Sequence, residues 1–244
     1  KTFVIGTGYL SSKISKKIRN SEVIPSEKFI KKIDSINKNK KKINLIINAF
    51  YSTRKLNNLT SYKFFIEKSL LNISVIFDNI NPRLINKVLY TSSSSVYGSM
   101  GGKIGVFDKN NRYIYSSLKI SAENLVKNFC NKNNIYFDIC RVFNLYGIND
   151  GFSIISKLIQ LKKSNKRIEI YNNGDSIRDF IHVDDVVFIY KKLLNIKDSN
   201  IFDVGTGYGI SIKDIIKKLK LPKKKIKFIK KKYFEIDNSI ANNS

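Results

Sequence analysis

Tyr115-Ser116-Ser117-Leu118-Lys119 sets a phenol and an ammonium four residues apart. On a helix that spacing brings both side chains to one face. A neighbouring ammonium favours the phenolate and lowers the tyrosine pKa. A phenol tuned in this way can exchange a proton with a substrate hydroxyl near neutral pH. A YxxxK match alone is a weak signal. Its weight here comes from order, because it lies downstream of a Gly-rich opening and of a run of serines.

The opening is Gly6-Thr7-Gly8-Tyr9-Leu10-Ser11, between an apolar strand (Thr2–Ile5) and a helical pattern (Tyr9–Asn20). That context suits a dinucleotide fingerprint: Gly6 permits a tight turn, Gly8 lets the backbone approach a pyrophosphate, and the helix N-terminus offers free N–H groups. Ser11 stands where a third glycine is usual. A ribose-binding carboxylate is expected about 20 residues after the glycines. The residues read there are Pro25, Ser26 and Lys28. A hydroxyl plus a lysine suits a 2′-phosphate better than a free ribose hydroxyl, which tilts the cofactor toward NADP over NAD. The serine run, Thr91-Ser92-Ser93-Ser94-Ser95-Val96-Tyr97-Gly98, follows an apolar strand. Hydroxyls at the carboxyl end of a parallel strand sit where such sheets bind ligands. One of them can hydrogen-bond a substrate oxygen while Tyr115 moves its proton; a Ser-rich turn capping the next element reads equally well.

The elements that must position these groups alternate. Strands are predicted at Glu22–Ile24, Ile43–Asn48, Lys87–Ser92, Tyr136–Arg141, Lys166–Tyr171 and Ile201–Val204. Helices are predicted at Ser61–Ile80, Tyr113–Asn131, Gly151–Lys163, Val183–Leu194 and Ser211–Leu219. Lys31–Lys42 reads as a solvated helix or loop, and Lys220–Lys232 as a charged surface around a short strand, Ile226–Ile229. Alternation of this kind implies an α/β, doubly wound parallel sheet with helices on both faces.

At 244 residues and 42% hydrophobic the chain can bury a full core. No apolar run approaches the roughly 18 residues of a membrane span. Cys130 and Cys140 have no metal or redox spacing, so reduced thiols and a cytoplasmic location are expected. No His/Cys cluster points to a metal. The formal net charge is +26. Its lysines are scattered among Ile and Asn, so it reads as compositional bias that attracts anionic ligands such as nucleotide phosphates rather than as a nucleic-acid footprint.

Taken in order, GxGYLxS, SSSSVYG, YSSLK, Arg141-Val142-Phe143-Asn144-Leu145-Tyr146-Gly147 and Arg178-Asp179-Phe180-Ile181-His182-Val183-Asp184-Asp185 resemble the extended short-chain dehydrogenase/reductase family. More narrowly they resemble its NAD-dependent epimerase/dehydratase group, which acts on nucleotide sugars. The resemblance runs from Val4 to about Ser211. It implies a Rossmann domain over residues 1–144, rejoined by 178–207. Residues 145–177 and 208–244 would then form a small substrate lobe, incomplete at its C-terminus, with Asp237–Ala241 opening a further helical segment.

By the same resemblance Tyr115 is the acid/base, and Lys119 lowers its pKa and holds the nicotinamide ribose. Ser93 polarises the substrate, with Ser92 and Ser94 as near competitors. Gly6, Thr7, Gly8, Tyr9, Leu10 and Ala49 lie against the cofactor, and Asn144 and Arg178 bind the nucleotide pyrophosphate of the substrate. A homodimer through the YxxxK helix and its neighbour is implied. His182 is expected to pack beside the sheet, and Asp184 and Asp185 to start a helix. Arg141 reads either as a buried structural cation or as a ligand contact.

Several positions depart from the pattern. Residues 100–112 lack a proline-rich approach to Tyr115. The relay asparagine has only Asn72 as a gapped candidate, and Ile148 replaces a usual proline. Family dehydratases place an acidic pair where Ser94 and Ser95 stand, so dehydration is disfavoured for want of an acid to expel hydroxide. Epimerase or ketosugar reductase remains as the reaction. The alternatives are a catalytically inactive NAD(P)-binding sensor or subunit of the same fold, and a nucleic-acid binder.

Overall fold

The computed structural model describes residues 1–51, 61–98, 112–230 and 237–242. Six strands form one parallel sheet: β1 (Thr2–Ile5), β2 (Ser21–Ile24), β3 (Ile43–Ile47), β4 (Ile85–Ser93), β5 (Tyr136–Val142) and β9 (Asn200–Val204). Their spatial order is β2-β1-β3-β4-β5-β9. The chain turns back at β1, so a switch point opens at the carboxyl ends of β1 and β3, where such sheets bind ligands.

The strands are apolar on both faces, as a sheet covered on both sides requires. Phe3, Ile5, Leu45, Ile47, Val88 and Tyr90 face one core, packed under α2 (Ser26–Asn37), α4 (Asn72–Asn79) and α5 (Arg112–Lys132). Val4, Ile46, Leu89 and Cys140 face the other, under α1 (Tyr9–Lys17) and α7 (Val183–Leu193). The lysine-rich stretch begins in α2, where Phe29, Ile33 and Ile36 recur at helical spacing beneath it, and residues 38–42 follow as a loop. The predicted helix Ser61–Ile80 is three pieces: α3 (Tyr62–Ile66), a π turn (Glu67–Leu71) and α4.

One buried ion pair crosses the second face. Lys87 Nζ lies 2.5 Å from Asp138 Oδ2, and both side chains are 1% exposed. The same ammonium donates to the carbonyls of Leu193 and Ile196 at 2.9 Å, where a helix end carries partial negative charge.

A second group of elements lies beyond the sheet: β6 (Asn144–Tyr146), α6 (Ile154–Lys162), β7 (Ile168–Ile170), β8 (Ile177–His182), β10 (Gly209–Ser211), α8 (Ile212–Lys218), β11 (Ile226–Phe228) and β12 (Asn238–Ser239). Leu158, Ile170, Ile212, Ile215, Ile216 and Leu221 form its own cluster. Asp237–Ala241 does not open a helix. Asn238 and Ser239 pair parallel to β8, and Ala241 N donates to Asp179.

Candidate active site

The turn after β1 is built for close approach. Gly6 sits at φ +107, and a Cβ there would meet the Ala49 carbonyl at 2.9 Å. Only glycine is free to adopt that backbone. Gly8 caps α1, and a Cβ on it would meet nothing within 4 Å. The first turn of α1 therefore faces open volume, a crevice of about 680 Å³ at the carboxyl ends of β1, β3 and β4. Thr7, Gly8, Tyr9, Leu10, Ser11 and Ala49 line it, as do Ser93 and Tyr115. Free helix N–H groups beside a space that no Cβ fills fit a dinucleotide pyrophosphate. Ser11, at the third-glycine position, is buried and accepts from Asn48 Nδ2 at 2.7 Å. Asn48 accepts in turn from the Thr91 hydroxyl, so a polar chain ties the glycine turn to the end of β4.

One face of α5 presents Tyr115, Lys119 and, a further turn on, Glu123 to that strand end. The Tyr115 phenol and the Ser93 hydroxyl both line the crevice. Lys119 Nζ donates to the Thr91 carbonyl at 2.7 Å and lies 4.8 Å over the Tyr90 ring. Ser92 turns away from the phenol and donates to Glu123 at 2.5 Å. Ser94 opens the short 3₁₀ turn Ser94–Tyr97.

The expected depression of the Tyr115 pKa by Lys119 is not found. Burial, then the Tyr51 phenol nearby, push Tyr115 well above its ordinary value, and only the Ser93 hydroxyl acts the other way. Lys119 Nζ is 5.9 Å from the Tyr115 ring centroid. Burial pushes Lys119 itself down to about 8, against an opposing pull from Glu123.

Other predicted positions fall elsewhere. Neither Asn144 nor Arg178 lines the crevice. Asn144 donates to the Asp179 carbonyl at 2.9 Å, and Arg178 donates to the carbonyls of Ile177 and Asp237. Both brace β8 in the arrangement described. Ser26 is buried and accepts from Asn72 Nδ2 at 3.0 Å, which withdraws its hydroxyl from any 2′-phosphate and Asn72 from any relay. That removes half of the basis for favouring NADP; Lys28 is exposed. Arg141 is a structural cation, donating twice to Glu123 and once to Tyr97. His182 caps α7 by accepting from Asp184 N, with Asp184 and Asp185 in the first turn. The approach to Tyr115, residues 100–111, lies outside the described residues.

Sequence reasoning missed Glu123, although it stands four residues after Lys119. It also missed Asp150, whose carboxylate accepts from the backbone of Gly147, Phe152 and Ser153 and from the hydroxyls of Ser153 and Ser156. That knot shapes the rim of the crevice. Tyr9 reaches across to the same rim, donating to the Ile148 carbonyl at 2.9 Å and packing edge-on against Phe152.

Comparison with known proteins decides the family. The model of the NAD-dependent epimerase/dehydratase family matches residues 15–205. The chain belongs to the NAD-dependent epimerase/dehydratase family. A dTDP-D-glucose 4,6-dehydratase of Dictyostelium discoideum is 28% identical over 197 residues, 74% of this chain and 45% of that protein. An ADP-L-glycero-D-manno-heptose-6-epimerase of Brachyspira hyodysenteriae is 31% identical over 147 residues, 55% of this chain and 46% of that one. The chain thus spans about half the length of the curated relatives it matches. Among solved structures, a UDP-glucose 4-epimerase of Thermotoga maritima superposes with a TM-score of 0.79 at 16% identity, covering 99% of this chain and 90% of that one. A dTDP-glucose 4,6-dehydratase of Streptomyces venezuelae gives 0.80 at 12%, covering 99% and 88%. At such identities these likenesses establish the fold, and family members of both reaction types share it.

Proposed function

We propose that this member of the family is an NAD(P)-dependent nucleotide-sugar epimerase or ketosugar reductase with Tyr115 as its acid/base. One observation carries the reading: the Tyr115 phenol and the Ser93 hydroxyl share the crevice that the glycine turn lines. The first turn of α1 binds the cofactor pyrophosphate, and Ala49 lies beside the dinucleotide. A nicotinamide ring bound there supplies the hydride acceptor and donor. Tyr115 takes the sugar hydroxyl proton as the carbon is oxidised and returns it on reduction. Ser93 holds the same sugar oxygen, and Lys119, fixed from below by the Thr91 carbonyl, sets a cation 5.9 Å from the Tyr115 ring centroid. An epimerase runs both halves on opposite faces of the ketosugar; a reductase runs only the second. Ser94 and Ser95 supply no carboxyl group to expel hydroxide, which favours both over dehydration. Asn144 and Arg178 contact the substrate pyrophosphate only if β8 rearranges around it.

The raised Tyr115 phenol is the observation that favours the second reading, a dinucleotide-binding sensor or subunit without turnover. Mass spectrometry of small molecules released from purified protein, followed by a panel of sugar nucleotides with NAD and with NADP, separates the two. Bound dinucleotide with turnover of at least one sugar nucleotide is expected. Bound dinucleotide that never turns over supports the sensor, and failure to bind either dinucleotide ends both readings.

A further inference from the structure

Tyr115, Lys119 and Glu123 follow at intervals of four along α5, so their side chains form one ladder. The ladder meets three consecutive residues at the end of β4: the phenol meets Ser93, the ammonium meets the Thr91 carbonyl, and the carboxylate meets Ser92. Glu123 is 2% and Lys119 is 7% exposed, so two opposite charges lie one helical turn apart out of water. Glu123 is held on its far side by Arg141, with Nη2 at 2.8 Å and Nε at 3.1 Å. Arg141 donates onward to Tyr97 at 2.9 Å, and Tyr97 donates to Asp203 at 2.5 Å. Charge therefore alternates along a line from Lys119 through Glu123 and Arg141 to Asp203.

Among the described residues, groups from two elements face Lys119. From β4 come the Thr91 carbonyl and the Tyr90 ring; from α5 come Tyr115 and Glu123. Arg141, on β5, reaches Lys119 only through Glu123, and Tyr51 is reached only through Tyr115. Of these, Glu123 is the one carboxylate. An ammonium taken out of water sheds its proton unless an anion opposes the cost.

We propose that Glu123 is a positioning residue that keeps Lys119 protonated, and that it thereby sets the alkaline limit of proton transfer at Tyr115. The second clause rests on the reading of Tyr115 as acid/base; the first does not. Lys119 is already pushed down to about 8 by burial with Glu123 in place. Removing the carboxylate moves its titration toward neutrality. Removing Arg141 leaves the carboxylate uncompensated and moves it upward.

The test is an NMR titration of the side chains of isotope-labelled lysine in the full chain, with Lys119 assigned by Lys119→Met. Glu123→Gln should lower the Lys119 midpoint by about one unit, a tenfold weaker hold on the proton. Arg141→Gln should raise it, and Glu123→Asp should keep it near wild type. Opposite signs are the signature, since a merely structural role costs both variants thermal stability and moves neither midpoint. If Glu123→Gln fails to fold, the pair Glu123→Leu with Arg141→Met replaces a buried ion pair by hydrocarbon, and the midpoint should still fall. An unchanged midpoint in a folded variant, or shifts of one sign in both, overturns the proposal. In wild type the fall in kcat/KM at high pH should track the Lys119 midpoint and move with it in Glu123→Gln. Shifted midpoints in a protein that turns over nothing would refute the enzymatic reading and leave the charge ladder standing.

Discussion

At the scale of single residues, Tyr115 and Gly6 carry the most testable chemistry. Tyr115→Phe deletes one oxygen from the crevice while leaving the ring packed against its neighbours. Turnover should fall by about 10²–10⁴-fold, the usual worth of a positioned acid/base, with dinucleotide affinity nearly unchanged. Normal turnover would remove the phenol from the mechanism. Gly6→Ala forces a Cβ onto the Ala49 carbonyl at a φ that side chains rarely adopt. It should cost about 1–3 kcal/mol in denaturant unfolding and weaken dinucleotide binding in calorimetry, because the same turn shapes the pyrophosphate seat. The sequence made both residues legible, since each sits in a motif whose spacing has a mechanical reason. It made Asn144 and Arg178 less so. Motif order says what such residues can bind, whereas the carbonyls that occupy them, those of Asp179, Ile177 and Asp237, come from β8 and from a segment nearly 60 residues further on. The Tyr115 pKa was misjudged for a similar reason. Spacing puts Lys119 on the right face, but burial, which spacing does not report, dominates the phenol.

Among the elements, long apolar strands and periodic helices were readable because both faces of the parallel sheet are buried. Of the short strands outside that sheet, β7 and β11 were readable, whereas β6, β8, β10 and β12 were not. β8 hides best, because Asp179 fills a fully buried position in it and breaks the apolar alternation. That carboxylate accepts from Thr206, Gly207 and Ala241, contacts scattered through the chain that no local pattern announces. The rim loop between β6 and α6 was likewise hidden, and it rests on Asp150. Burial pushes the Asp150 carboxyl up, but the donors from Ser153, Ser156 and Gly147 outweigh it and hold the group below its ordinary value. A carboxyl depressed by folding adds stability above its unfolded pKa of about 3.9 and loses it as pH falls through the folded value. Asp150→Asn should therefore lower the unfolding free energy at pH 7 by about 1–3 kcal/mol, and flatten the acid-side decline expected of wild type. Because the loop packs Phe152 against Tyr9 and offers it the Ile148 carbonyl, KM should rise more than kcat falls. Equal acid sensitivity in both proteins would show that the knot is not what holds the rim.

For the whole molecule, the +26 charge and the apolar side of α3 pull in opposite directions. Tyr62, Ile66 and Leu71 are 64%, 47% and 53% exposed. They are spaced by four and then five residues, one α turn and one π turn, so that the π turn keeps the apolar residues in line. This segment packs beside α5, the helix through which the resemblance implies a homodimer, and large exposed apolar side chains in line are what an interface between copies needs. Two copies carrying +26 repel at long range, and that repulsion is screened over about 10 Å at 0.1 M salt. Association should therefore tighten as salt rises, the reverse of what a nucleic-acid complex of the same protein would show, since phosphate binding weakens steeply with salt. Sedimentation in low and in physiological salt reads this directly: a monomer–dimer equilibrium shifted toward dimer by salt is expected. Ile66→Glu combined with Leu71→Lys should give monomer at every salt concentration, with dinucleotide binding retained because neither residue lines the crevice. Wild-type protein that stays monomeric at high salt and high concentration would show that this apolar side does not join two copies. Dimers unaffected by the double substitution would place the contact on another face of α5.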